Sequence, residues 1–360
     1  MKKILVWIRR DLRLQDHPAL SEATKTGAEV YLVFNFDPRI LDPIKQHTTS
    51  DKRLHFIAQS LHEINQNLQQ TDGNLILTYG DPTVEIVKLC SDLGVDALYF
   101  NEDYETYPMA RDKTVRSNCV KNGVVVETFQ DHLIFRPDAI LKDNGTPFLV
   151  FTPFYKKWRA RLDALGAPLH HEVHIERIYA GPSPAPNKVE DILKFAGFKP
   201  DVPPLEGGES AAFSRLDTFL DVIDDYKLKR DFPAMDNTSL MSVYTRHGCI
   251  STRELVRKGL DIGNKGAEKW ISEIGWREFY YMIAFQFPHV RTSAFQEKYR
   301  TLNYRNSEDH IVAWKTGMTG FPLVDAAMRC FNQTGLMHNR LRMLCASVLC
   351  KTLLVDWRIG

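Results

Sequence analysis

Five short runs rich in branched and aromatic residues fall before residue 130, and helix-like segments separate them. The runs are KILVWIR (Lys3–Arg9), EVYLVFNF (Glu29–Phe36), NLILTY (Asn74–Tyr79), ALYFN (Ala97–Asn101) and VVVETF (Val124–Phe129). Asp51–Leu68, Pro82–Leu93 and Met109–Asn122 between them have helical periodicity. Strand and helix patterns that alternate in this way predict βαβ units wound into a parallel, doubly wound sheet. No GxGxxG follows the first run, so the dinucleotide-binding fingerprint is absent. Ligands of such sheets sit beyond the carboxyl ends of the strands, which makes the Trp7–Arg13 and Phe34–Arg39 loops candidates.

The rhythm then stops. GPSPAPN (Gly181–Asn187) and KPDVPPLEGGES (Lys199–Ser210) are rich in proline and glycine and read as linker. Beyond them Ala211–Asp225, Ser251–Lys258, Gly266–Phe287, Phe321–Thr334 and Leu336–Leu354 are all helical in period. With 360 residues the chain exceeds the usual ~250–300-residue limit of a single core. The expected organisation is an α/β domain over residues 1–132, a linker with short helices over 133–210, and an all-α domain over 211–360.

A net charge of +1 conceals an asymmetry. Tyr226–Gly360 carries 20 Lys+Arg against 12 Asp+Glu, whereas Met1–Asp225 carries 26 against 33. The basic C-terminal part suits a polyanion, although a helical domain with a merely basic surface has the same count. The six cysteines form no CxxC pair and no cluster with histidine, as in reduced cytosolic thiols, and no metal site is expected. The apolar run after Met1 is too short for a signal peptide, and His338, Arg340, Arg342 and Lys351 interrupt the C-terminal one. The sequence reads as that of a soluble, cytoplasmic protein.

Three stretches could carry chemistry. Thr238, Ser239, Leu240, Met241 and Ser242 form a turn before a helix, where hydroxyls and N–H groups can hold phosphate oxygens or simply cap the helix. In KWISEIGWREFYYMIAFQF, Trp270, Glu273, Ile274, Arg277 and Tyr281 share a face, flanked by Trp276 and Tyr280. Glu273 and Arg277 can pair with each other at i, i+4. Alternatively they belong to a pocket in which Trp276 offers a stacking surface and Glu273 an acceptor for a base edge. In the last stretch Asn339, Arg342, Met343 and Ala346 fall on one helix face, with Leu341, Leu344 and Val348 opposite. A planar, phosphate-bearing heterocycle such as a flavin, or a flipped-out base, would satisfy that polar face.

Taken with LVWIRRDLRLQDHPAL, FQDHLIFRPDAI, FLVFTPFYKKW, NTSLMS, AWKTGMTGFPLVDAAMR and LLVDWRIG, these stretches resemble the photolyase/cryptochrome family from residue 3 to residue 360. Within that family the sequence looks like a class I cyclobutane pyrimidine dimer photolyase. The resemblance implies an α/β antenna domain linked to an all-α domain that binds FAD and DNA. It implies FAD contacts at Tyr226, Thr238, Ser239, Leu240, Met241, Ser242, Trp270, Arg277 and Arg342, with Asn339 between flavin and DNA. Arg230 would contact a DNA phosphate, Glu273 would hydrogen-bond the damaged bases, Trp276 would stack on them, and Met343 would line the lesion pocket. Trp314 and Trp357 match two of the three tryptophans that relay electrons to photoexcited flavin. The implied activity is light-driven repair of pyrimidine dimers by electron transfer from reduced FAD to a dimer flipped out of UV-damaged DNA. No membrane or protein partner is implied, and the chain reads as a monomer. A cryptochrome-type receptor, including the DASH type, shares fold and flavin; Glu273, Trp276, Asn339 and Met343 favour repair.

The sequence also departs from that pattern. Family members usually continue past DWRxGE into an Asp-rich segment that holds the flavin, so the FAD-binding domain reads as incomplete. The expectation is a truncated chain with weak FAD binding, low stability and an exposed apolar face on its last helix, an inactive fragment being the extreme case. Leu336 stands where Trp or Tyr often precedes MHNRLR. Tyr107–Pro108 replaces the Asn–Glu pair of folate-binding members, which leaves methenyltetrahydrofolate, a deazaflavin, another flavin or no antenna open as the second chromophore.

Overall fold

The computed structural model describes residues 2–360. All five expected strands form: β1 (Lys3–Ile8), β2 (Glu29–Phe36), β3 (Leu75–Tyr79), β4 (Ala97–Asn101) and β5 (Val125–Phe129). They pair in parallel in the order β3-β2-β1-β4-β5, with Leu5 opposite both Tyr31 and Leu98. Ile4, Leu5, Val6 and Val33 are fully buried, so the sheet is the core. Local chemistry sets the helix boundaries. Asp51 and Asp81 cap Lys52–Gln69 and Pro82–Leu93 by accepting from the N–H groups of Arg53 and Thr83 at 2.8 and 2.9 Å. Gly94, at φ +61°, ends the second of these helices in the left-handed conformation that glycine adopts without strain.

The strand order reverses between β1 and β4, and the segments leaving these strands are the most heavily charged of the sheet. The Pro-rich stretch is more than a tether. Leu77 N–H donates to the Ser183 carbonyl (3.4 Å) and Ala185 N–H to that of Leu75 (2.7 Å), so the linker seals the outer edge of β3.

After Phe129 every named element is helical, as the sequence implies. The chain forms two compact units, Met1–Asp224 with Ser239–Gln286, and Asp225–Thr238 with Phe287–Gly360. The first contains the sheet and the helices Phe151–Leu165, Glu209–Leu220, Thr252–Ile262 and Lys265–Gln286. Phe151–Leu165 packs on Lys265–Gln286 through Gly275, where a β-carbon would lie 2.7 Å from the Tyr155 ring; only glycine permits that approach.

The second unit is built from Glu308–Thr316, Pro322–Thr334 and Asn339–Ser347 around Val324, Ala327, Met328 and Cys345. The single helix expected over Leu336–Leu354 is shorter and ends differently. The His338 ring accepts from the N–H of Arg340 (3.1 Å) and starts the helix at Asn339. After Ser347 it widens into a π-turn over Val348–Thr352, closed by Leu353 N–H donating to the Val348 carbonyl at 2.9 Å. Among the described residues no helix is long and apolar enough to cross a membrane, and no group of three or more His, Cys, Asp or Glu could hold a metal ion.

Candidate functional site

The helix Lys265–Gln286 carries Trp270, Glu273, Trp276 and Arg277, half of the predicted site residues of the first unit. Trp270 is buried, and its indole N–H donates to the Ser239 hydroxyl at 3.2 Å. The same hydroxyl accepts from Met241 N–H at 3.3 Å, so with two donors satisfied it has its own O–H left to offer a ligand. Arg215 donates to the Ser239 carbonyl (3.2 Å), and the next residue, Leu240, is held at φ +58°. A branched side chain in that region is strained by roughly 1–2 kcal/mol. The turn is therefore held by its surroundings.

Of the shared face, Glu273 pairs with Lys269 at 2.8 Å, one turn back. Arg277 reaches further. Its guanidinium donates to the His132 carbonyl and lies 4.9 Å over the Tyr281 ring, while burial lowers its pKa. Tyr281 in turn accepts from Arg10 at 2.6 Å, so two guanidiniums bracket one phenol. Trp276 is half-buried and lies parallel to Phe151, with ring centroids 3.7 Å apart and planes within 9°. Phe151 thus covers one indole face, and Tyr280 lies 5.7 Å from the indole with planes 25° apart, so a base could stack only on the surface these two rings leave open.

Sequence reasoning missed the polar framework beneath this helix. Glu278, next to Arg277, is buried and accepts from the N–H groups of Ile134 and Phe135 (3.2 Å for the latter) and from the Trp158 indole at 2.6 Å. Burial pushes its pKa up to about 7 against these donors. Asp131 is 1% exposed at its side chain and pairs with both Arg13 and Arg253, the latter at 2.9 Å. Burial alone would raise its pKa, but the two guanidiniums hold it well below the ordinary carboxylate range. Arg253 also reaches Asp16 at 3.1 Å, and Arg257 reaches Asp16 at 2.9 Å. The available signal was the charge density of RRDLRLQDH directly after an apolar strand. That density is consistent with the short loop being fixed by ion pairs.

The second unit holds Tyr226, Thr238, Asn339, Arg342 and Met343. Arg230 donates to the Tyr226 hydroxyl at 3.2 Å and lies 5.3 Å over its ring, so the buried phenol fixes the guanidinium. Asn339, Arg342, Met343 and Ala346 are exposed together on their helix, while Leu341, Leu344 and Val348 pack inward with Trp314. The Trp314 indole donates to the Cys345 carbonyl at 3.1 Å, and Trp357 is 38% exposed.

Residues 4–174 match the family model for DNA photolyase, and residues 270–360 match that for the FAD binding domain of DNA photolyase. A deoxyribodipyrimidine photo-lyase of Alkalihalophilus pseudofirmus is 34% identical over 368 residues, an alignment covering 99% of this chain and 74% of the relative. The class III photolyase of Agrobacterium tumefaciens has a TM-score of 0.86 at 31% identity, covering 99% of this chain and 74% of that one. The archaeal photolyase of Sulfolobus tokodaii, described with two FAD molecules, has a TM-score of 0.83 at 29% identity over 99% of this chain and 76% of its own. Two family models placed on sheet and helices, and a relative one-third identical along almost all of the sequence, give one answer: the chain belongs to the DNA photolyase family.

Proposed function

We propose that the protein repairs cyclobutane pyrimidine dimers in UV-damaged DNA, driven by light. The observation that carries this reading is the half-buried indole of Trp276, with one face backed by Phe151 and Glu273 one turn away, in the region that matches the FAD binding domain. A backed aromatic next to an acceptor suits an extruded base, which needs a stacking plane and a partner for its polar edge. Flipping costs a few kcal/mol, least for a damaged base that is already poorly stacked.

Bound FAD, in its reduced form, would supply the light absorption and the one-electron donation that lets the cyclobutane ring split. Ser239 fits such a group, because its hydroxyl has spent its acceptor capacity on Trp270 and Met241 and has a proton to donate. Tyr226, Thr238, Leu240, Met241, Ser242, Trp270, Arg277 and Arg342 would complete the cofactor contacts. Asn339, an amide that both donates and accepts, would face cofactor and lesion, and Met343 would give an apolar wall. Arg230, held by Tyr226, would take a DNA phosphate. Trp314 and Trp357 would relay electrons towards the cofactor. A second, light-harvesting chromophore belongs to this reading without an assigned identity, as do action as a monomer in the cytoplasm, the antenna role of residues 1–132 and the linker role of 133–210.

Trp276→Ala should weaken binding of a dimer-containing oligonucleotide by about 1–3 kcal/mol, roughly five- to 150-fold, and leave affinity for the undamaged duplex nearly unchanged. Titration of both oligonucleotides at one salt concentration checks this. Equal losses on the two would remove the stacking role.

A further inference from the structure

Within the second unit, Asp231 lies between two arginines. Arg340 grips it with two parallel bonds, Nε to Oδ1 at 2.9 Å and Nη2 to Oδ2 at 2.8 Å. Arg230 reaches Oδ1 through its Nε at 3.3 Å. The His338 ring, which caps the helix bearing Arg340, also lies 2.9 Å from the Arg230 carbonyl, so the two arginine-bearing segments are joined by a second link. The side chains of Asp231 and Arg340 are 45% and 47% exposed, and the hydrogen bond from Arg340 is the main cause holding the carboxyl below its ordinary pKa. Most exposed ion pairs contribute little to stability, so folding alone gives little reason for this arrangement.

We infer that Asp231 is a tethered phosphate surrogate that masks Arg230 and Arg340 and thereby sets the strength of nucleic-acid binding. A guanidinium fork takes a carboxylate and a phosphate in the same two-bond geometry. Arg340 is therefore held ready for the second, and Arg230, 10% exposed and joined through its Nε alone, flanks the same carboxylate, which cancels one positive charge in a unit rich in them. An incoming backbone phosphate displaces the carboxylate and inherits a preset fork. The displacement costs part of the electrostatic gain, equally on damaged and undamaged strands, because the contact does not involve a base. Asp231 is thus a positioning residue that restrains sequence-independent binding. The inference rests on the DNA-binding reading above.

The test is Asp231→Asn, titrated with undamaged and dimer-containing duplexes across a salt series. The expected result is about three- to tenfold tighter binding of both duplexes near physiological salt. The slope of log K against log salt should steepen by up to about one unit, as one more phosphate contact requires. Asp143→Asn is the charge control: Asp143 is fully exposed, pairs with Lys157 at 2.7 Å in the other unit, and its loss alters the net charge equally. It should change neither affinity nor slope. In an Arg340→Ala background the D231N gain should shrink, a coupling expected of partners in contact. Unchanged or weaker binding by D231N, or an equal gain from D143N, overturns the inference. Wild-type protein that holds both duplexes with the same affinity overturns the lesion-binding reading instead, and the D231N comparison on undamaged duplex remains decisive for Asp231.

Discussion

Replacing Asp131 by alanine should destabilise the first unit by about 3–5 kcal/mol, the usual cost of removing one partner from a buried ion pair. Its carboxylate is the charge shared by Arg13 and Arg253, whose side chains are 2% and 8% exposed. Arg253 keeps Asp16 as a counter-charge. Arg13 retains the carbonyls of Gln15, Gly248 and Asp16, which satisfy its N–H groups without neutralising it. Urea unfolding at neutral pH measures the loss, and a change below about 1 kcal/mol would contradict the role. Acid supplies a second check. The folded-state pKa of Asp131 lies below its unfolded value, so its stabilisation is full above pH ~4 and is lost as the pH falls further. The deficit of the variant should therefore shrink below pH ~4.

Glu278→Ala should be at least as damaging. It would leave the N–H groups of Ile134 and Phe135 and the indole of Trp158 without their acceptor. A buried donor left unmade costs about 1–3 kcal/mol, which puts the total for the three at roughly 3–9 kcal/mol. Glu278→Gln keeps one acceptor oxygen and should lose about 1–3 kcal/mol. Here the pH dependence has the opposite sign to that of Asp131. Burial raises the folded-state pKa to about 7, above the ~4.3 of an unfolded glutamate, so the folded state holds the proton more tightly. That contribution is complete below pH ~4.3 and disappears as the pH rises through 7. The deficit of E278Q relative to wild type should be larger at pH 5 than at pH 8. A deficit that grows with pH would mean that the three donors, and not burial, govern this carboxyl.

These two residues mark the boundary of what the sequence reveals. The strands, and the exposed face with Asn339 and Arg342, were legible because they depend on near neighbours: apolar runs, capping residues and helical period. Pairing partners were not. Asp131 meets Arg13 across 118 residues and Arg253 across 122, and Trp276 is backed by Phe151, far earlier in the chain. Nothing in local spacing encodes such choices. Even within one helix, spacing allowed Glu273 two partners at i±4; it pairs with Lys269, and Arg277 donates to His132. The π-turn after Ser347 was equally hidden, since its apolar residues continue the helical period.

The most direct measurement is repair itself. The protein, loaded with FAD and reduced, is mixed with an oligothymidylate carrying cyclobutane dimers and divided between blue light and darkness. Recovery of thymine absorbance in the illuminated sample alone, with saturable dependence on the oligonucleotide, is the predicted result. Protein that retains its flavin and binds the lesion yet leaves the dimers intact under light would contradict it.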